Sequence, residues 1–290
     1  MKTIYYIIFI TILLQIASCD VINPDESIPA YIYVPAFQLN TTANQGSNSN
    51  KITDVWVTVG EELLGVFPLP ALIPILKTGE QTITLEAGVK NNGIGSSGAA
   101  YPFYQNVQTK VTLQAGETDT LRPVVAYRTE TKFPLVENFE SSSQLFRDLR
   151  VGTDANRVQI TNAGALEGNA GQVMLDKDNP RVEIATVNRF ANPVSKGTTV
   201  YVEVNYKSDA PVLFGIVGYK NGRADAAAYE AGFTAKAEWN KIYFNLSSLL
   251  AGTTYDEFQV VFRSVLPSQD NVFTQDKAMI WLDNIKLVHF

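Results

Sequence analysis

Thr199-Val-Tyr-Val-Glu-Val-Asn-Tyr-Lys207 alternates without a break, and it is bounded by Gly197 before it and Asp209-Ala-Pro211 after it. A period of two sends successive side chains to opposite faces of an extended chain, so the run reads as a β-strand. The pattern recurs on both sides of this stretch. Upstream it returns at residues 172–175 and 181–185, and downstream at 212–218, 240–246, 257–264 and 278–288. Seven such runs, separated by turn residues, predict an antiparallel sandwich. Further upstream, residues 30–35, 53–59, 81–86, 110–113 and 122–127 carry the same signal, with 40–50 as a polar loop. Helical periodicity is almost absent after residue 30. The fold class expected is all-β, with two antiparallel β-sandwich domains over residues 30–128 and 134–290 and a charged linker at 129–133.

Composition narrows the function. The 290 residues carry a formal charge of −6 and no cluster of Lys and Arg, which speaks against nucleic-acid binding. The single Cys excludes a disulfide within the chain and a Cys-based metal site. The single His, His289, is the penultimate residue, so Ser/His/Asp triads, Cys/His dyads and multi-His zinc sites are excluded. Paired carboxylates are the one catalytic apparatus left, and the acidic residues are scattered. Gly93–Gly98 lacks the Lys-Ser/Thr ending of a phosphate loop. The chain reads as a non-enzyme.

The N-terminus is more specific. Lys2 precedes residues 4–14, which are apolar or aromatic apart from Thr11. That run is too short to span a bilayer and has the length of a signal-peptide core. Ile16-Ala17-Ser18-Cys19 follows at once. It resembles the lipobox of bacterial lipoproteins: a branched apolar residue, two small ones, then Cys. The resemblance implies that residues 1–18 are removed and that Cys19 carries a covalent lipid anchoring the chain in the cell envelope. Residues 19–29 form an acidic tether with Asp20, Asp25 and Glu26. An outer-membrane location is expected, with the cell-surface and periplasmic faces both open.

Two further resemblances concern the folded part. Asp54-Val-Trp-Val-Thr-Val59, Gly60-Glu-Glu-Leu-Leu-Gly65-Val-Phe-Pro68 and Leu76-Lys-Thr-Gly79-Glu-Gln-Thr-Ile-Thr-Leu85 resemble the small transthyretin-like sandwiches of bacterial surface proteins, the PEGA type among them. That likeness implies a spacer or adhesion unit. Glu137-Asn-Phe-Glu140, Trp239-Asn-Lys-Ile-Tyr-Phe-Asn-Leu246 and Ile280-Trp-Leu-Asp-Asn-Ile-Lys-Leu287 resemble the jelly-roll modules of carbohydrate-binding and galactose-binding-like families. It implies that the second domain is a jelly roll. Calcium-bearing members also imply a structural ion shared by Glu140 and Asp283, with Glu137 as a third ligand.

Candidate glycan contacts are aromatics in loops, because stacking on a sugar ring needs an exposed ring face. Tyr219 and Tyr229 qualify, with Asn221 and Arg223 as hydroxyl partners; an ordinary polar turn is the competing reading at 220–225. Tyr101 and Tyr104 form either a stacking platform or a filling between domains. Trp56, Trp239 and Trp281 flank apolar alternation and read as core. Two functions follow: a glycan-binding or substrate-capture accessory, or a structural subunit docking onto an outer-membrane transporter or secretion complex. Lipidation is tested first. A palmitate analogue is expected to label the wild-type chain and not Cys19→Ala; label persisting in the variant overturns the anchor.

Overall fold

The computed structural model describes residues 27–96, 98–149, 157–194 and 197–290. The expected signal peptide, Cys19 and the tether as far as residue 26 lie outside the described residues. No helix among the described residues is long and apolar enough to cross a membrane.

The N-terminal half contains β1 (Ala30–Val34), β2 (Gln38–Asn40), β3 (Asp54–Val59), β4 (Glu62–Pro68), β5 (Ala71–Ile75), β6 (Gly79–Lys90), β7 (Gly98–Ala100), β8 (Val107–Leu113), β9 (Thr118–Thr120) and β10 (Val124–Ala126). One sheet runs β4-β3-β6-β7, with β8 also paired to β6. A second runs β5-β1-β9, and β10 pairs β2. The pairs are antiparallel except β1 with β9 and β2 with β10, which are parallel. Alternation explains the layering. Val55, Val57 and Val59 point inward from β3, and Ile32, Val34, Ile73 and Ile75 meet them from the other sheet.

The C-terminal half contains β11 (Lys132–Glu137), β12 (Phe146–Asp148), β13 (Gln159–Thr161), β14 (Ala170–Asp176), β15 (Arg181–Thr186), β16 (Phe190–Ala191), β17 (Val200–Ser208), β18 (Val212–Lys220), β19 (Arg223–Ala224), β20 (Ala228–Phe233), β21 (Lys236–Asn245), β22 (Glu257–Val265), β23 (Ser268–Gln269), β24 (Val272–Phe273) and β25 (Lys277–His289). One sheet has the order β13-β14-β25-β17-β21, with β11 on the second half of β25. The other has the order β12-β15-β22-β18-β19, with β16 on β22 and β20 on β18. All these pairs are antiparallel. Val200, Val202, Val204 and Tyr206 enter the core between the sheets, against Phe214, Phe244, Phe258 and Phe262. The chain is thus all-β and built from sandwiches.

The alternate residues of β17 do not face water. Tyr201 and Glu203 are buried, as are Tyr243 of β21 and Lys286 and Val288 of β25. Tyr201, Tyr243 and Val288 belong to the same apolar cluster as the N-terminal core. The N-terminal half therefore covers this part of the sheet face. Glu203 lies at the centre. The Tyr101 and Tyr127 hydroxyls donate to its Oε1 at 2.8 and 2.7 Å, and Lys241 Nζ lies 2.9 Å from its Oε2. Lys286 Nζ donates to the Ser47 carbonyl at 2.6 Å. Burial alone would raise the Glu203 carboxyl; the two lysines hold it below its ordinary range.

Loops complete the seam. Asn92 N–H donates to the Tyr243 carbonyl at 2.8 Å, and Asn245 N–H to Asn92 Oδ1 at 2.9 Å. Asn205 reaches Ser49 Oγ at 2.9 Å. Gly46 has φ 69°, and a Cβ there would lie 2.8 Å from Val136 Cγ1. Both the left-handed backbone and the close approach demand glycine. Removing one partner of a buried ion pair costs about 3–5 kcal/mol, because the other charge is stranded. Glu203→Ala is expected to lower unfolding stability by about that amount, read by urea denaturation; a change within error would show that the seam does not depend on this carboxylate.

Candidate functional site

Two of the four sheet faces of the C-terminal sandwich form its core, and a third lies in part under the N-terminal half. The uncovered end of that third face carries Met174, Lys207, Trp239 and Trp281, with Lys207 Nζ 4.3 Å from the Trp281 ring centroid, so these two tryptophans are not the core residues expected. The fourth is the outer face of β15, β22, β18 and β20. Register places its rows. Glu183 is opposite Arg263, which is opposite Leu213. Ala185 is opposite Val261, then Gly215, then Tyr229. Val217 faces Gln259, and Tyr219 closes the face near Glu257.

Tyr229 crosses this face. Its hydroxyl donates to Glu183 Oε1, although β20 and β15 are three strand spacings apart in the order β20-β18-β22-β15. At about 4.8 Å per spacing, neither side chain can stand upright and still meet the other. Both lie along the sheet. The Tyr229 ring packs on the small patch of Ala185, Val217, Tyr219 and Val261. A Cβ on Gly215 would collide with the Ala228 carbonyl oxygen, so β20 sits close over β18 just where Tyr229 departs. Burial, and then the bond to Glu183, raises the Tyr229 phenol well above its ordinary range, so it stays a donor. The Arg263 guanidinium lies 5.7 Å from the ring centroid. The outcome is a half-buried aromatic lying flat, flanked by a carboxylate and a guanidinium.

Tyr219 is on the same face but is not open. It is only 8% exposed, its hydroxyl donates to Gln259 Oε1, and Arg189 lies 3.8 Å over its ring. Tyr219 therefore supports the floor while Arg189 presents charge above it. Asn221 and Arg223 belong to the tight turn between β18 and β19. Asn221 has φ 49° and Gly222 φ 76°, the two positive values of a two-residue hairpin turn. Asn221 N–H donates to Asp256 Oδ2 at 2.8 Å. The polar-turn reading describes this segment.

Tyr101 and Tyr104 are not a stacking platform. They are 3% and 2% exposed, with ring centroids 4.7 Å apart, and Tyr101 lies 5.0 Å from Tyr243. They fill the seam, because the sheet face under them is itself apolar and aromatic. Glu183, Arg189, Gln259 and Arg263 were not singled out from sequence. Glu183, Gln259 and Arg263 are polar members of alternating strands, a signal that marks the outward face without marking its use.

Of the three acidic residues expected to share calcium, Glu140 lies near enough to Asp283 to act on its charge, and Glu137 is engaged elsewhere. Glu137 accepts the N–H groups of Phe139 and Leu145, both at 2.8 Å, and so ties a loop in which Phe139 has φ 56°. Glu140 accepts the backbone and side-chain N–H groups of Asn169 at 2.7 and 2.9 Å. Asp283 is fully buried; its Oδ1 accepts Asn284 N–H at 2.7 Å and its Oδ2 has no partner. Among the described residues no three His, Cys, Asp or Glu side chains are grouped to hold a metal ion. Calcium requires six to eight oxygens, so other groups would have to complete any such site. Burial first, and then the nearby charges of Glu167 and Glu140, push Asp283 up to about 7.

No protein-family model matches the chain, and no curated protein matches it. Among solved structures, it is similar to the family 11 carbohydrate-binding module of cellulosomal cellulase Lic26A-Cel5E of Clostridium thermocellum. The identity is 17%, covering 54% of this chain and 94% of that one, with a TM-score of 0.37. The family 30 module of cellulase Cel9D-Cel44B of the same organism has 11% identity over 53% and 96%, also at 0.37. TmCBM61, solved with β-1,4-galactotriose, has 13% identity over 52% and 93%, at 0.33.

The raised Asp283 carboxyl has a definite sign. The folded chain holds this proton up to about pH 7, whereas an unfolded Asp releases it near 3.9. Its contribution to stability is complete below about pH 4 and is lost as pH rises towards 7 and above. Asp283→Asn is expected to remove this loss, so that its melting temperature exceeds wild type at pH 8 and matches it at pH 4. Equal wild-type and variant profiles across that range would contradict the shift.

Proposed function

We propose that the chain is a non-catalytic envelope lipoprotein that captures a glycan on the outer face of β15, β22, β18 and β20. The observation that carries this reading is Tyr229 lying flat over small side chains, with its hydroxyl on Glu183 and the Arg263 guanidinium over the ring at 5.7 Å. A flat ring offers the face on which a sugar ring stacks, and adjacent charged groups can bond its hydroxyls. On this reading Cys19 anchors the protein to the outer membrane, at either its surface or its periplasmic face. The N-terminal sandwich then acts as a spacer that fixes the direction of the binding face.

A second reading has one observation in its favour. Edge strand β4 and neighbouring β5 expose Leu63, Val66 and Leu72 at 58%, 43% and 58%, and Leu76 just beyond them at 71%. Exposed apolar edges of this kind are sites where another protein docks. An envelope transporter or secretion complex is the partner class it would suit.

Affinity gels and glycan arrays separate the two. Capture of a defined polysaccharide is expected, with affinity falling at least tenfold in Tyr229→Ala, about 1.4 kcal/mol, measured at a temperature where the variant stays folded. Tyr229→Phe should lose less affinity than Tyr229→Ala, because the ring remains but the bond to Glu183 that holds it flat is gone. No retention on any gel, together with co-purification of one envelope protein lost in Leu72→Asp, would replace the first reading with the second.

A further inference from the structure

A cavity of about 330 Å³ opens at the junction of the two halves, away from the face just described. Its wall brings together Lys51 and Lys90 from the N-terminal half with Lys236 and Lys241 from β21. No carboxylate lines it. Two of the four cations are already matched behind the wall: Lys90 by Asp54 at 2.9 Å, and Lys241 by Glu203. Lys51 donates only to the neutral Asn240 amide, at 2.5 Å, and Lys236 contributes a second positive charge. In a chain of net charge −6, this is a local excess of positive charge within a concave site.

The rest of the wall is not a plain ionic surface. Tyr206 and Phe233 stack on each other with centroids 3.8 Å apart, and with Ile242 and Tyr243 they form its buried floor. Thr53, Asn92 and Thr234 supply hydroxyl and amide groups. Gly93, at φ 70°, packs directly on Ile242 at the rim, where a Cβ would come within 2.7 Å of Ile242 Cδ1. The combination is cations for an acid group and neutral polar groups for hydroxyls, over a floor of buried aromatics. Pockets of this size at domain junctions take small molecules.

We propose that this junction cavity binds one acidic sugar residue, a uronate or a sulfated hexose, with Lys51 and Lys236 holding its anionic group. Inorganic anions would use only the lysines, whereas a sugar acid uses the whole wall. Burial and the neighbouring Lys236 charge lower the Lys51 ammonium. An anion between the two would remove that conflict. The site shares no residue with the Tyr229 face and stands independently of it.

Calorimetric titration of the full chain with galacturonate, galactose 6-sulfate, galactose and inorganic phosphate tests this. Saturable binding of the two acids, absent for galactose, is expected, weakened at least tenfold in Lys51→Gln/Lys236→Gln and unaltered in Tyr229→Ala. The double variant should melt with wild type, because Lys51 is only partly desolvated and Lys236 is exposed. The proposal is overturned if neither acid saturates, if the double variant binds as well as wild type, or if phosphate binds as tightly as the sugar acids. Loss of polysaccharide capture with acid binding intact would instead remove only the reading of the Tyr229 face.

Discussion

A carboxylate buried at the centre of a sheet face must find cations and donors or lose its charge. Glu203 meets that demand from both halves of the chain at once. Lys241 comes from the neighbouring strand of its own sheet, while the Tyr101 and Tyr127 hydroxyls come from the N-terminal half. Neither half alone could satisfy this group. Tyr201, Tyr243 and Val288 surround it with apolar contact and join the N-terminal core. The two sandwiches are therefore joined by a continuous packed core with charged groups inside it, and the connection between them is short because β11 begins at Lys132 and pairs at once with β25.

This arrangement decides which surfaces remain available. Covering the Tyr201, Glu203 and Lys286 part of the β17 and β25 face leaves the β22 and β18 face open, together with the end of the first face that carries Lys207, Trp239 and Trp281. Glu183, Gln259 and Arg263 project there because each occupies an outward position on its strand. Tyr229 can lie flat across it because its neighbours are Ala185, Gly215 and Val261 rather than larger side chains. A rigid seam also means that the direction of this face is set by the N-terminal half, which is the property a tethered capture protein requires.

Much of this order is written in local periodicity. The run quoted from residues 199–207 becomes β17 at Val200–Ser208, and the runs at 257–264 and 278–288 become β22 and β25. β20 escaped notice because Ala228-Tyr-Glu-Ala-Gly-Phe233 contains Gly and Ala and does not alternate cleanly. The parallel pairing of β1 with β9 is a long-range choice that no local pattern encodes. The larger gap concerns faces. Alternation says that Tyr201, Glu203 and Asn205 share one side of a strand, but not whether that side meets water or another domain. Tyr101 and Tyr104 illustrate the cost: loop aromatics are equally consistent with a ligand platform and with a seam, and only the covering of the β17 face decides between them. Tyr229 was legible as a candidate, while its flat orientation depends on Glu183, 46 residues away.

The seam also divides the lysines into two kinds. Lys241 and Lys286 are buried under the N-terminal half; one is committed to Glu203 and the other to the Ser47 carbonyl. Lys90 is committed to Asp54. These are structural charges, and their partners are fixed by the fold. Lys51 and Lys236 are brought together by the same docking without receiving a carboxylate. Docking that served stability alone would favour separating two such charges, since nothing about Glu203 requires them to meet. Their convergence on a cavity with an aromatic floor follows from the way the halves meet, and it gives the junction a chemical character that neither half has by itself.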